Sequence, residues 1–107
     1  MALSDEDIAH ALELFEAVGD LSTRKMFGGI AIYSEGTIFA IVMSEGGIRL
    51  KAQGDMISRF KDMGLEQWTY QRPGRKPSSM PYWSLPDSAL DDPEEASALA
   101  REALKYL

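Results

Sequence analysis

The sequence predicts an α+β fold, a two-layer domain in which helices pack against an antiparallel five-stranded sheet. Apolar runs of strand length are separated by short Gly-containing turns, and turns this short connect antiparallel strands rather than parallel ones. Three amphipathic helical segments occur among the strand runs without the regular strand–helix alternation of a parallel sheet. The predicted order is α-β-β-β-α-β-β-α, and 107 residues suit a single domain over residues 1–107.

Capping signals and apolar stripes locate the helices. The first helix is predicted over residues 5–18, because apolar residues recur there at helical spacing and Ser4 is placed as its N-cap. The second is predicted over residues 55–63 from the same spacing. The third is predicted to begin at Pro93, since Asp92 before it is a favourable N-cap and proline is favoured at the first helical position.

Five runs are predicted as strands, namely residues 24–33, 37–43, 48–52, 68–71 and 79–83. Gly28 and Gly29 interrupt the first run, where we expect a bulge or a close backbone approach within a single strand. Pro81 has no amide hydrogen to donate to a neighbouring strand. The last strand is therefore expected to lie at an edge of the sheet or to begin after Pro81.

Charge is distributed unevenly along the chain. The formal net charge is −6 and the pI is about 4.7, which argues against a domain whose whole surface binds nucleic acid. Acidic residues concentrate towards both ends, whereas the middle of the chain is rich in Arg and Lys. In the run 48–52, alternation places Ile48 and Leu50 on a core face, with Arg49 and Lys51 on the opposite face. We therefore expect a local basic face on an acidic protein.

Basic and aromatic residues form one candidate interaction surface. Its members are Arg24, Lys25, Arg49, Lys51, Arg72, Arg75, Lys76, Tyr82 and Trp83. Tyr, Trp and Arg are favoured at protein interfaces, and the positive charge of the set favours an acidic partner. The same mixture can bind single-stranded nucleic acid by stacking and charge, but the overall acidity makes a protein partner the preferred interpretation. A homodimer, through an edge strand or the last helix, stays open.

No constellation of catalytic residues stands out in the sequence. His10 is the only histidine and there is no Cys, so thiol chemistry is excluded and the usual zinc ligand sets are absent. Phe27-Gly28-Gly29 leads into a strand and lacks the glycine spacing of phosphate-binding loops. The acidic clusters are explained by favourable charge at helix N-termini. We therefore predict a non-enzymatic protein with no catalytic residues, no cofactor and no metal.

The compartment is predicted from what the sequence contains at its start and in its apolar runs. The N-terminal segment is acidic, unlike a secretory signal, and the apolar runs are much shorter than the roughly 20 residues of a membrane-spanning helix. The lack of Cys is compatible with a reducing compartment. These features predict a cytoplasmic protein that does not enter the membrane.

Two short strings connect the chain to a known family. The string Arg24-Lys25-Met26-Phe27-Gly28-Gly29 and, later in the chain, Met80-Pro81-Tyr82-Trp83 occur in the order and context of the N-terminal domain of the TfoX/Sxy competence regulators. The chain resembles that domain over nearly its whole length. The resemblance implies a two-layer α+β domain with an antiparallel sheet, and it supplies no catalytic residues.

The resemblance also implies a role in bacterial regulation. Members of the family act as transcriptional coactivators of DNA-uptake genes together with the cyclic-AMP receptor protein, and they carry a second, C-terminal helical domain. Because this sequence ends at Leu107, we expect a stand-alone form without that second domain. The expected function is a non-enzymatic protein-interaction domain whose partners include the transcription machinery. Direct nucleic-acid binding and small-molecule binding remain the alternatives.

Overall fold

The computed structural model of the protein describes residues 4–26, 29–43, 47–70 and 73–107, and within these ranges it contains an antiparallel sheet and three α-helices. The helices are α1 (Asp5–Leu14), α2 (Asp55–Asp62) and α3 (Pro93–Leu104). The strands are β1 (Leu21–Met26), β2 (Gly29–Ser34), β3 (Thr37–Val42), β4 (Ile48–Lys51), β5 (Gln67–Tyr70) and β6 (Ser78–Ser84). Their order in the sheet is β1-β2-β3-β4-β6-β5. The predicted α+β class and antiparallel sheet are confirmed.

Both predicted N-caps form. The Ser4 hydroxyl accepts a hydrogen bond from the Asp7 amide at 3.1 Å, and the Asp92 carboxylate accepts from the amides of Glu94 and Glu95. Helix α1 ends at Leu14, earlier than predicted, and a short 3₁₀ turn over Glu16–Val18 continues its apolar pattern. The cap signals therefore located the helix starts more accurately than apolar spacing located the first helix end.

The prediction of five strands was wrong, because the run 24–33 contains two. Strands β1 and β2 are antiparallel, with Met26 opposite Gly29, so the chain reverses direction between them. A bulge within one strand is therefore excluded, although Gly28 itself lies outside the described residues. The expected close backbone approach is confirmed at Gly29, where a Cβ atom would overlap the Val42 carbonyl oxygen and lie 3.1 Å from Met43 Cα.

The prediction that Pro81 belongs to an edge strand or precedes the strand was also wrong. Strand β6 begins at Ser78 and lies between β4 and β5. Pro81 is tolerated there because β4 has already ended at Lys51, with the Ala52 amide donating to the Pro81 carbonyl at 3.0 Å. On its other side the β5–β6 register shifts between Gln67 and Thr69. Pro81 thus sits where one ladder ends and the other is irregular.

The main core lies between the helices and one face of the sheet. Its buried members come from all three helices and from the strands, and include Leu14, Phe39, Leu50, Phe60 and Leu99. The Ser97 hydroxyl in α3 donates to the Leu14 carbonyl at 2.8 Å, which ties α3 to the end of α1.

The arrangement is not the simple two-layer sandwich that the sequence predicts. Sheet residues on the opposite face form a second buried cluster, and no residue of a described helix belongs to it. Strand β1 is also largely exposed, with Ser22, Thr23, Arg24 and Lys25 all open to solvent. The helices therefore cover only part of one face.

Candidate interaction surface

The six described strands carry positive charge and no negative charge. Their charged residues are Arg24, Lys25, Arg49 and Lys51, and none of these strands contains Asp or Glu. The whole chain nevertheless has 17 acidic and 11 basic residues, and the acidic residues that the structure describes lie in helices, turns and loops. The fold therefore separates a basic sheet from an acidic remainder.

Strand alternation and register place three of these cations on the face opposite the helices. Arg49 lies between Ile48 and Leu50, which both belong to the main core, so its side chain points to the other side. Lys51 is paired with Tyr82, and Arg24 with Ala31, and both partners belong to the second cluster. We call this side of the sheet the basic face. Its charged and aromatic residues are Arg24, Tyr33, Arg49, Lys51, Trp68 and Tyr82.

An apolar floor lies beneath the cations of the basic face. Its buried residues are Ala31, Ile41, Met43 and Tyr82, and Met26, Tyr33, Ile38, Trp68 and Met80 pack against them. Ala31 is 0% exposed and Ile41 is 2% exposed, although no described helix covers them. Partly buried side chains from the strands themselves pack against these residues and contribute to their burial.

Two arginines lie over aromatic rings at opposite sides of this face. The Arg24 guanidinium carbon is 5.7 Å from the centre of the Tyr33 ring, and that of Arg49 is 5.8 Å from the centre of the Trp68 ring. The Trp68 ring is in turn 6.3 Å from the Tyr82 ring at an interplanar angle of 58°. Cation–aromatic contacts of this kind hold guanidinium groups in place while leaving their donors free to bind acceptors.

The Arg49 side chain is unusual in its hydrogen bonding. Its Nε and Nη1 atoms are buried, and neither donates to an acceptor in the described part of the chain. Buried donors are nearly always paired in native proteins, because each unpaired donor costs free energy of desolvation. Arg49 therefore has hydrogen-bonding capacity that the described fold does not use.

Tyr82 is the titratable group that this environment changes most clearly. Burial raises the pKa of its phenol above the ordinary value of 10.0, and electrostatic repulsion from Tyr33 adds to the increase. The hydroxyl therefore stays neutral well into the alkaline range, where it can donate and accept hydrogen bonds. Tyr33 packs against the buried cluster that contains Tyr82, so both residues belong to the basic face.

The structure brings together only part of the predicted surface. Arg24, Arg49, Lys51 and Tyr82 share the basic face, whereas Lys25 points to the opposite side of β1. Trp83 lies in the main core and is 3% exposed, because successive residues of β6 point to opposite faces. It therefore does not belong to an exposed surface.

The basic loop residues of the predicted surface lie elsewhere. Arg75 and Lys76 are exposed in the connection between β5 and β6, at the end of that hairpin remote from the Arg49–Ser84 pair. Arg72 lies outside the described residues. Tyr33 and Trp68 were missing from the predicted surface. For Tyr33, alternation with the core residues Ile30 and Ile32 was a signal that could have placed it on the face opposite the core.

The described ranges also show the surroundings of the acidic side chains and of the single histidine. No group of His, Cys, Asp and Glu side chains within the described ranges is arranged to hold a metal ion. The exposed His10 ring contacts the Leu90 carbonyl oxygen through Nε2 at 3.1 Å, so it links α1 to the segment before α3. No helix in the described ranges has the length and apolar character needed to cross a membrane.

Comparison with known proteins identifies the family. The model of the TfoX N-terminal domain matches residues 13–107. A DNA transformation protein, TfoX1, of Aliivibrio fischeri (strain ATCC 700601 / ES114) is 24% identical over 74 residues, which is 65% of this chain and 35% of the relative. The alignment thus covers about a third of that relative's length. Since the family model covers most of the chain, the protein belongs to the TfoX N-terminal domain family.

Proposed function

We propose that this protein is a non-enzymatic regulatory domain that binds an acidic segment of a partner protein through its basic face. The observation that carries the proposal is the separation of charge, with four cations and no carboxylate in the strands of a protein whose net charge is −6. Family membership favours a regulatory role over a catalytic one.

Charge complementarity gives the interaction its orientation. An acidic partner is repelled by the helices and turns of this domain, where the carboxylates concentrate, and attracted by Arg24, Arg49 and Lys51. Arg49 is the strongest anchor in this proposal, because its Nε and Nη1 donate to no acceptor in the described chain and hydrogen bonds from a guanidinium to a carboxylate are among the strong ones. The partly buried side chains that pack on the apolar floor, among them Tyr33 and Trp68, add contact area that excludes water around the charged pair.

The regulated process is proposed from the relative. The similar protein of Aliivibrio fischeri is a DNA transformation protein, so we infer a role for this domain in regulating bacterial DNA uptake. The partner would then be a cytoplasmic component of the transcription machinery with an exposed acidic segment.

Nucleic-acid binding is the second candidate. Aromatic side chains that lie beside arginines on a sheet can stack with the bases of single-stranded DNA or RNA. Two features disfavour it. The Tyr33 and Trp68 rings already have guanidinium groups over them, and the net charge of −6 repels a polyanion at long range. If the basic face did bind nucleic acid, binding would weaken steeply as the salt concentration rises.

Small-molecule binding has weaker support. A cavity of about 90 Å³ between α2 and α3 is well below the roughly 300 Å³ of typical ligand sites. A shallower depression of about 380 Å³ is lined by Glu13, Glu16 and Glu94 together with Ala17 and Pro93, which suits no anionic metabolite.

A pair of double variants tests the proposed surface. Arg49→Gln with Lys51→Gln removes two positive charges from the basic face, while Arg75→Gln with Lys76→Gln removes two from the exposed loop. We expect affinity purification from the native cell to lose its acidic partner with the first variant and keep it with the second. Identical partner sets for wild type and the first variant would contradict the proposal.

The same proteins discriminate against nucleic acid. Each is titrated with single-stranded and double-stranded oligonucleotides at low ionic strength, where phosphate contacts are strongest. We expect no binding that depends on Arg49 and Lys51. If an oligonucleotide binds wild type in a salt-sensitive way and does not bind the variant with Arg49→Gln and Lys51→Gln, the ligand of the basic face is nucleic acid and the proposal of a protein partner is wrong.

A further inference from the structure

Strand β1 forms an open edge of the sheet. It pairs with β2 on one side, and no described strand pairs with it on the other. All six of its residues keep an unbroken register with β2, and the exposed stretch Ser22–Lys25 is covered on neither face. An edge strand of this length and regularity is a template for adding another strand.

The other edge of the sheet is less suitable. Strand β5 has only four residues, and its register with β6 shifts between Gln67 and Thr69. Short and irregular edges are a common protection against unwanted pairing. β1 has no proline and no register shift, so of the two described edge strands it is the one better suited to pair with an added strand.

The hydrogen-bonding pattern shows which β1 groups point outward. The Asp20 carbonyl accepts from the Glu35 amide at 3.2 Å, and these two residues occupy the register position next to Leu21 and Ser34. Hydrogen-bonded and non-hydrogen-bonded pairs alternate along an antiparallel ladder. Counting from Asp20, the backbone groups of Ser22, Arg24 and Met26 point to β2. Those of Leu21, Thr23 and Lys25 therefore point away from the sheet.

The charges on β1 select the chemistry of the strand that can pair there. Arg24 and Lys25 project from opposite faces of the same strand, so an added strand meets a cation on each side. A second copy of β1 in antiparallel pairing would bring four cations together, which is unfavourable. An extended segment with carboxylates on both faces is instead stabilised by the same residues.

We propose that the acidic partner contributes an extended segment that adds to β1 as a seventh strand of the six-stranded sheet. This inference rests on the proposed function, since it specifies how the acidic partner binds. The outward amides and carbonyls of Thr23 and Lys25 pair with the segment backbone, and Arg24 and Lys25 meet its carboxylates. Arg49 and Lys51 lie on β4, away from this edge, and bind another part of the partner.

The probe for the edge is a fluorescent peptide that repeats Glu-Glu-Val-Val, because in a strand this sequence places carboxylates on both faces. Its controls are a peptide in which Lys replaces Glu, and a Glu–Val peptide with alternate backbone amides methylated so that they cannot donate. We expect the first peptide to bind and the two controls to bind at least about tenfold more weakly. Equal binding of the Lys peptide or of the methylated peptide would overturn the proposal.

Substitution of Thr23 tests the edge from the protein side. Thr23→Pro removes an outward amide, which an edge strand tolerates, whereas Thr23→Val keeps the amide and the strand preference. We expect the proline variant to lose peptide binding about tenfold or more and the valine variant to retain it. Amide hydrogen exchange of wild type gives a readout that needs no variant. The Thr23 and Lys25 amides should exchange fast in the free protein and slowly with peptide bound.

The outcomes separate this inference from the proposed function. If Thr23→Pro folds and binds like wild type, or if peptide leaves the Thr23 and Lys25 amides unprotected, strand addition is wrong. The basic face still stands in that case, provided the Arg49 and Lys51 variant loses its partner. If Thr23→Pro converts a dimer to a monomer in sedimentation, a second copy occupies β1 and the acidic segment does not. If the peptide fails to bind and the Arg49 and Lys51 variant keeps every partner, both proposals fail.

Discussion

The Arg49 guanidinium lies 5.8 Å from the centre of the Trp68 ring and thereby links β4 to β5 across the intervening strand β6. The contact fixes the guanidinium while its Nε and Nη1 donate to no acceptor in the described chain. A cation–aromatic contact contributes about 0.5–2 kcal/mol, whereas a buried unpaired donor costs about 1–3 kcal/mol. The ring contact therefore does not fully offset the cost of two unpaired donors, which supports the proposal that Arg49 binds a partner.

Replacement of Arg49 by methionine should separate these two effects. Arg49→Met keeps a long apolar side chain against Trp68 and removes the buried donors, so we expect the free energy of unfolding to stay equal or to rise by about 1 kcal/mol. Urea denaturation measures the change, and Arg75→Met in the exposed loop is the control, with a change below about 0.5 kcal/mol. If Arg49→Met alone lowers the free energy of unfolding by more than about 1 kcal/mol, the contact between Arg49 and the Trp68 ring stabilises the fold and the expectation is wrong.

Gly29 should be intolerant of any side chain. In Gly29→Ala the new Cβ would overlap the Val42 carbonyl oxygen in the neighbouring strand, and a backbone group cannot move aside as a flexible side chain can. We expect a loss of about 2–3 kcal/mol in the free energy of unfolding, measured by thermal or urea denaturation.

Gly47→Ala is the matched control for Gly29. A Cβ at Gly47 meets only the Arg49 side chain, at an ordinary distance of 3.5 Å to Nη1. We expect a change of less than about 1 kcal/mol there. Equal losses in the two variants would mean that general glycine effects, and not the approach of β3, explain the result.

Local signals in the sequence were enough for the helix starts but not for the strand count. Ser4 and Asp92 cap their helices through side-chain oxygens, a short-range interaction that a sequence pattern reports directly. The break between Met26 and Gly29 was harder to find, because the residues around it are strand-forming and Gly29 has two roles. It begins a new strand and also admits the backbone of β3, which only the pairing of distant residues reveals.

The sequence predicted only part of the candidate site, because local patterns place some of its residues and not others. Alternation within β4 placed Arg49 and Lys51 correctly opposite the core, because that strand is regular and one of its faces is plainly apolar. The position of β6 inside the sheet depends on Pro81 meeting the end of one ladder and an irregularity in another. No local pattern reports such a coincidence. Trp83 is a different case, because it is adjacent to Tyr82 in β6 and alternation alone shows that the two side chains point to opposite faces.

The turn between β2 and β3 offers a stabilising substitution. Glu35 and Gly36 have φ angles of 49° and 81°, and they form a two-residue hairpin loop of the type I′ kind between Ser34 and Thr37. Asn adopts positive φ with less strain than Glu, so Glu35→Asn should raise the free energy of unfolding by about 0.5–1 kcal/mol. Denaturant midpoints measure this change. Glu35→Val should shift the midpoint in the opposite direction, and a gain in that variant would contradict the turn assignment.

The alkaline stability of the protein should depend on Tyr82. Burial, reinforced by Tyr33, raises the pKa of the folded-state phenol above the ordinary value of 10.0 that applies in the unfolded chain. The folded state therefore holds the Tyr82 proton more tightly, and its contribution to stability is fully present below pH 10. Above that pH the unfolded chain ionises first, so the free energy of unfolding must fall as the pH rises towards the folded-state pKa.

Tyr82→Phe removes this titration and should flatten the fall. Wild type and Tyr82→Phe are compared by urea denaturation from neutral pH to above pH 10, with Tyr106→Phe as the control because the Tyr106 side chain is 45% exposed. We expect the control to follow wild type and Tyr82→Phe to lose less stability over the alkaline part of the range. Parallel curves for all three proteins would show that Tyr82 ionises as freely in the folded state as in the unfolded one, and the buried floor of the basic face would then be open to water.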